Sequence, residues 1–119
     1  MVQDLLAVTM EWPISELIKR PKIFKKATDE LKRVIGREGG SRRRIKDEHH
    51  LPCMEAIFKE TMRMHPAAPM LVPRQAHKHG KAAGTRILID VWSIVRNRTS
   101  WHAPEEFRPE RFIGIKKDV

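Results

Sequence analysis

Glu60 and Arg63 stand three positions apart in a stretch, Leu51 to Met64, whose apolar residues recur at helical spacing. At roughly 100° per residue, Cys53, Ala56, Ile57 and Met64 share one side of such a helix. Glu60 projects into the middle of that side, and Arg63 lies at its edge beside Ala56. Residues three apart on a helix are neighbours, so the two can pair. Spacing alone equally fits a solvated surface pair worth under about 1 kcal/mol. Position argues for burial, because a carboxylate on an apolar face is costly unless it is paired and hydrogen-bonded. The expected chemistry is a buried ion pair whose planar guanidinium can recruit a second arginine or backbone carbonyls.

Other reactive residues lead less far. His49, His50 and Cys53 offer three metal ligands, but one helix start rarely presents all three and no fourth is evident. Cys53 is the one cysteine, which excludes an internal disulfide and a zinc site built on cysteine pairs. The run Arg42-Arg43-Arg44 and a formal net charge of +9, from 24 Lys and Arg against 15 Asp and Glu, suggest a nucleic-acid module. No aromatic platform lies near the run, and the other positive charges read as scattered over both early helices and the tail. A solvated loop is the better reading, with no specific nucleic-acid partner.

The elements that must position these residues are mostly helical. Apolar residues at helical spacing run from Leu5 to Ile35, interrupted by Pro13 and Pro21. Pro21 suits a first helical turn, where its missing N–H is not needed, so one helix ends near Arg20 and another spans Pro21 to Ile35. Gly36 to His50 reads as loop, and a third helix spans Leu51 to Met64, ended by His65-Pro66. The β-branched run Arg86 to Val95 predicts a strand. Pro104 to Phe112 predicts an ordered loop that supplies a candidate second arginine. The fold class is therefore mainly α with a small β element. At 119 residues, with 40% hydrophobic and 33% charged, the chain promises only a modest core. No apolar run approaches the ~18 residues that span a bilayer, and no signal peptide is visible at Met1-Val2-Gln3-Asp4.

Two of these segments together carry a specific resemblance. Glu60-Thr61-Met62-Arg63 is similar to the E-x-x-R, and Pro109-Glu110-Arg111-Phe112 to the P-E-R-F, of the haem-thiolate monooxygenases, the cytochromes P-450. E-x-x-R alone occurs in many helices. Its specificity here comes from the ordered series Leu51-Pro52, Glu60 to Arg63, His65-Pro66, Val72-Pro73-Arg74, Val91-Trp92, Arg96, Trp101 and then P-E-R-F. The wording most resembles the plant microsomal branch. It covers essentially the whole chain, so residues 1–119 are expected to form part of the P-450 fold and no complete independent domain.

The resemblance implies roles residue by residue. Glu60, Arg63 and Arg111 would form a buried triad that locks the haem-side core, structural and not catalytic. Arg74 matches an arginine that meets a haem propionate, which suits a guanidinium. Met70, Leu71 and Val72 lie in the stretch that faces substrate. The implied cofactor is haem b, with electrons from an NADPH-dependent reductase. The implied reaction inserts one oxygen atom from O₂ into a small organic substrate. The parent family is anchored to the endoplasmic reticulum membrane, by a segment this chain is not expected to hold.

Four departures qualify those roles. The family's haem-ligating Cys lies downstream of P-E-R-F, beyond Val119, and Cys53 is not that ligand but reads as a small core hydrophobe. The oxygen-activating Gly-Gly-x-Asp-Thr is missing before Ala7, and Thr9 matches a later, non-catalytic Thr. Gly84 runs directly into Thr85, as though a hairpin turn were deleted, so the small sheet is expected to lose pairing. Asn97-Arg98 replaces the family's Asp-Pro. The chain alone is therefore expected to be inactive, a non-catalytic truncated product of a monooxygenase.

Overall fold

The computed structural model describes residues 2–36, 51–75 and 84–114. Arg42, Arg43, Arg44, His49 and His50 lie outside the described residues. Among the described residues, four α-helices follow in chain order: α1 (Val2–Ile18), α2 (Pro21–Gly36), α3 (Pro52–Met64) and the single turn α4 (Val91–Ile94). Between α3 and α4, β1 (Arg74–Gln75) pairs antiparallel with β2 (Arg86–Ile87), Arg74 opposite Ile87 and Gln75 opposite Arg86. A 3₁₀ turn, Pro109–Phe112, closes the described chain.

Helix α1 runs through Pro13 without breaking there, where the sequence suggested an interruption. Helix α2 begins on Pro21 and presents Ile23, Ala27, Leu31 and Val34 to the rest of the molecule, on the 3.6-residue period. Leu51 occupies the N-cap position before α3, and its side chain makes no capping bond. Glu30 of α2 supplies the missing acceptors: its carboxylate takes the amides of Cys53 at 3.1 Å and Met54 at 3.0 Å. Those are donors that a helix start leaves without intrahelical partners, so a tertiary contact does the capping. At the other end the His65 amide donates to the Thr61 carbonyl at 2.8 Å, and Pro66 follows.

The core is small. Ala27, Ile57 and Phe107 form its centre, with Leu17, Ile23, Cys53, Met54 and Met64 packed against it. It therefore joins α1, α2, α3 and the tail segment rather than any sheet.

The sequence expected a strand over Arg86 to Val95. Only Arg86–Ile87 pairs as strand, with an isolated bridge from Met70 to Asp90. Asp90 instead caps α4, its carboxylate accepting from the Ser93 amide at 3.2 Å and the Ser93 hydroxyl at 2.5 Å. That local bond outcompetes the β-branched run that follows. The expected loss of pairing at Gly84-Thr85 is not complete, since the short ladder beside it forms. Gly84 takes φ +81°, a left-handed value that glycine adopts without a Cβ penalty.

Candidate functional site

Glu60 and Arg63 are fully buried on α3 and bind each other through a fork. Arg63 Nε donates to Glu60 Oε2 at 2.8 Å and Nη2 to Oε1 at 2.9 Å. The remaining donors of Arg63 find carbonyls from distant chain: Nη1 donates to Val95 at 2.8 Å and Nη2 to Pro104 at 2.9 Å. The guanidinium also lies over the Trp101 ring, 5.2 Å from its centroid. A buried guanidinium is tolerable only with this kind of complete satisfaction.

Arg111 reaches the same carboxylate from the 3₁₀ turn, Nε to Glu60 Oε1 at 3.1 Å. The Arg108 amide donates to that oxygen too, at 2.9 Å. Arg111 spends its other donors on the carbonyls of His102 (2.8 Å), Ala103 (3.2 Å) and Glu106 (3.1 Å). Ala103 sits at φ +45°, sparsely populated for a residue with a Cβ, and the bond to its carbonyl helps hold it. Glu60 and Arg63, and Arg111 from far along the chain, thus share one cluster, in which one carboxylate faces two guanidiniums.

Arg96 adds a third guanidinium nearby. Its Nη2 donates to the Met64 carbonyl at 2.6 Å, and it stacks 4.3 Å over the Trp92 ring. Burial, and then the positive charge of Arg63, lower its pKa, with Glu105 opposing. The sequence marked Arg96 within a pattern but gave it no role.

The structure does not bring Arg74 into this cluster. Arg74 is exposed on β1, and Met70, Leu71 and Val72 just before it are exposed as well, Val72 at 82%. Their backbone is pinned at two points, Leu71 N–H to the Ile89 carbonyl at 3.0 Å and Trp92 N–H to the Pro69 carbonyl at 3.2 Å. Ile87 on the facing strand and Leu88 just after it are exposed apolar residues too. The paired strands therefore present two guanidiniums, Arg74 and Arg86, amid apolar side chains.

Cys53 is half-buried against the core. Burial raises its thiol pKa, the Glu30 charge raises it further, and Lys26 partly offsets both. The surroundings favour a protonated thiol. Among the described residues, no group of three His, Cys, Asp or Glu could hold a metal ion. Thr9, on α1, is half-buried.

A second charged cluster escaped the sequence reading. Glu16 of α1, buried to 5% exposure, pairs with Arg20 one turn on and takes a contact from His65 Nε2 at 3.2 Å. The His65 ring stacks flat on Trp12, with centroids 4.0 Å apart and planes 6° apart. Arg20 in turn lies 5.0 Å over Phe107. Burial would raise the Glu16 pKa, but the His65 and Arg20 hydrogen bonds and the charges of Arg20 and Lys19 outweigh it and hold the carboxyl below its usual range. The i, i+4 spacing of Glu16 and Arg20 was visible in sequence, whereas His65 comes from another helix end.

Comparisons with known proteins agree on one family. The sequence model described as Cytochrome P450 matches residues 3–118. Trimethyltridecatetraene synthase of Zea mays is 45% identical over 95% of the chain, and cytochrome P450 71A1 of Persea americana 41% identical over 97%. The chain spans about a quarter of the length of these curated relatives, 23% and 24%. A zebrafish cytochrome P450 solved with abiraterone superposes with a TM-score of 0.76 at 33% identity, covering 88% of this chain and 27% of that one.

Proposed function

The chain belongs to the cytochrome P450 family, and from that premise we propose that it supplies the structural clamp of a haem-dependent monooxygenase. The observation that carries this reading is the shared use of Glu60 by Arg63, Arg111 and the Arg108 amide. Those bonds fasten α3 to the tail segment. Their role is positional: every oxygen and nitrogen of the fork is committed to protein partners, and no free carboxylate face is left for proton transfer.

The hairpin is the part of this chain proposed to meet haem. An exposed guanidinium beside apolar side chains fits a flat apolar ring edged with carboxylates, since a guanidinium pairs with carboxylate bidentately. Arg74 would take a propionate, and Met70, Leu71 and Val72 would line the space for a small organic substrate. Haem b would supply the oxygen-activating chemistry when bound, with electrons from an NADPH-dependent reductase. The whole protein would insert one oxygen atom from O₂ into substrate at the endoplasmic reticulum membrane. Among the described residues, no helix is long and apolar enough to cross a membrane.

Cys53 is not proposed as the iron ligand, because its thiol is half-buried against the core and held protonated. The 119-residue chain alone is accordingly proposed to be non-catalytic. Adding haem to the purified chain and recording the carbon monoxide difference spectrum tests this. No thiolate-type band is expected. A thiolate-type band that Cys53→Ala removes would contradict it. Haem titration of Arg74→Ala tests the hairpin: weaker binding than wild type is expected, and unchanged binding would contradict the propionate role.

A further inference from the structure

Helix α3 and the turn α4 end on each other. Met64 is the last residue of α3, and Val95 caps α4. Arg63 donates to the Val95 carbonyl at 2.8 Å, and Arg96 donates to the Met64 carbonyl at 2.6 Å. Two adjacent pairs, Arg63-Met64 and Val95-Arg96, thus exchange one bond each way. The last carbonyls of a helix have no intrahelical partner, and a cation beside them is favoured by the helix dipole. Each element therefore caps the other, and α4 is fixed against the end of α3.

From α4 the tie runs on to the hairpin. The Trp92 amide donates to the Pro69 carbonyl at 3.2 Å, and Met70 bridges to Asp90. Trp92 and Arg96 stand four apart, and the Arg96 guanidinium lies 4.3 Å over the Trp92 ring. One side chain thus reaches both ends of the arc from Met64 to Pro69: Met64 directly, and Pro69 through Trp92. Met70 to Arg74 leave the far end of that arc.

Arg96 holds this place less comfortably than Arg63. Each nitrogen of the Arg63 guanidinium reaches an oxygen. Arg96 Nη1 is buried and finds no acceptor among the described residues. A buried donor without a partner opposes folding, so the contacts that Arg96 does make must hold it there.

We propose that Arg96 is a positioning residue for the Arg74 hairpin. Through Trp92 it sets where Met70 to Arg74 stand relative to the Glu60–Arg63 pair. The positioning is a property of the chain itself, whereas its consequence for haem rests on the haem role proposed above for the hairpin.

The test follows amide hydrogen exchange by NMR in the full 119-residue chain, beside haem titration. Arg96→Gln is expected to speed exchange of the Leu71 and Trp92 amides at least about tenfold, while the Glu60 and Thr61 amides of α3 stay within about twofold. A role in overall stability alone would move both sets together. Arg96→Lys is expected to restore most of the protection, because an ammonium can donate to one carbonyl and still stack on an indole. Should Arg96→Gln fail to fold by circular dichroism, Trp92→Ala, which keeps the Arg96 bond to Met64, is read the same way. Unchanged Leu71 and Trp92 exchange, or equal loss in α3, would overturn the proposal. Arg96→Gln is also expected to weaken haem binding, and to weaken it no further when added to Arg74→Ala. Haem binding lowered by Arg74→Ala but not by Arg96→Gln would overturn the positioning and leave the haem role standing. Faster Leu71 and Trp92 exchange with haem binding untouched by Arg74→Ala would overturn the haem role and support the positioning.

Discussion

The segment around Glu60 and the hairpin around Arg74 are built from the same materials, an arginine among apolar neighbours, and they use them in opposite ways. At Glu60 and Arg63 the charges are buried and the apolar residues pack around them, with fork, carbonyl and amide bonds all formed. At the hairpin Arg74, Arg86 and the apolar residues are exposed together, held by backbone bonds and by the Gln75 side-chain amide donating to the Gly84 carbonyl. A buried charge must find all its partners within the protein, so it holds elements together. An exposed guanidinium beside apolar groups keeps its donors for something else. The first region positions, and the second presents.

Removing Arg63 should break that contrast most severely. Arg63→Ala leaves the Glu60 carboxylate buried with one fewer counter-charge and strands the Val95 and Pro104 carbonyls. A loss of about 3–5 kcal/mol is expected in denaturant unfolding, as for buried pairs that lose one partner. Arg63→Lys should recover little of it, because an ammonium cannot reproduce the fork.

Acid should act next, through Glu16. Its folded pKa is depressed, so it contributes stability above the usual carboxylate range, about 4.3, and that contribution drains away as pH falls below it. Unfolding midpoints measured from neutral to acid pH should fall on acidification, and Glu16→Gln should flatten that fall. An identical pH dependence in Glu16→Gln would show that other groups set it.

The hairpin should respond least. Val72→Ser changes a side chain that is 82% exposed, and a stability change within about 0.5 kcal/mol is expected by the same unfolding measurement. A larger loss would mean that Val72 packs against the rest of the chain, and the contrast between the two regions would narrow.

What the sequence could show followed from local signals. Helical spacing and proline placement put α2 and α3 within a residue or so of their ends, and Glu60 betrayed its burial by standing on an apolar face. The companions of that pair were not legible from spacing. Arg111 joined it only through a family resemblance, and the Val95, Pro104 and His102 carbonyls have no side-chain signature at all. The strand expected over Arg86 to Val95 failed because one capping residue, Asp90, outweighed six β-favouring neighbours. Glu30 and Glu16 were invisible as partners for a similar reason. Each acts on an element that sequence separates from it, Glu30 on the start of α3 and Glu16 on His65.

The central claim is that Glu60 couples α3 to the tail through Arg111. A double-mutant cycle of Glu60→Gln and Arg111→Gln, read as unfolding free energies in denaturant, tests it most directly. Residues that share a buried network should show a coupling of about 1–3 kcal/mol, the double variant losing less than the two single losses combined. Additivity within about 0.5 kcal/mol would show that the two side chains act independently and that the clamp does not exist.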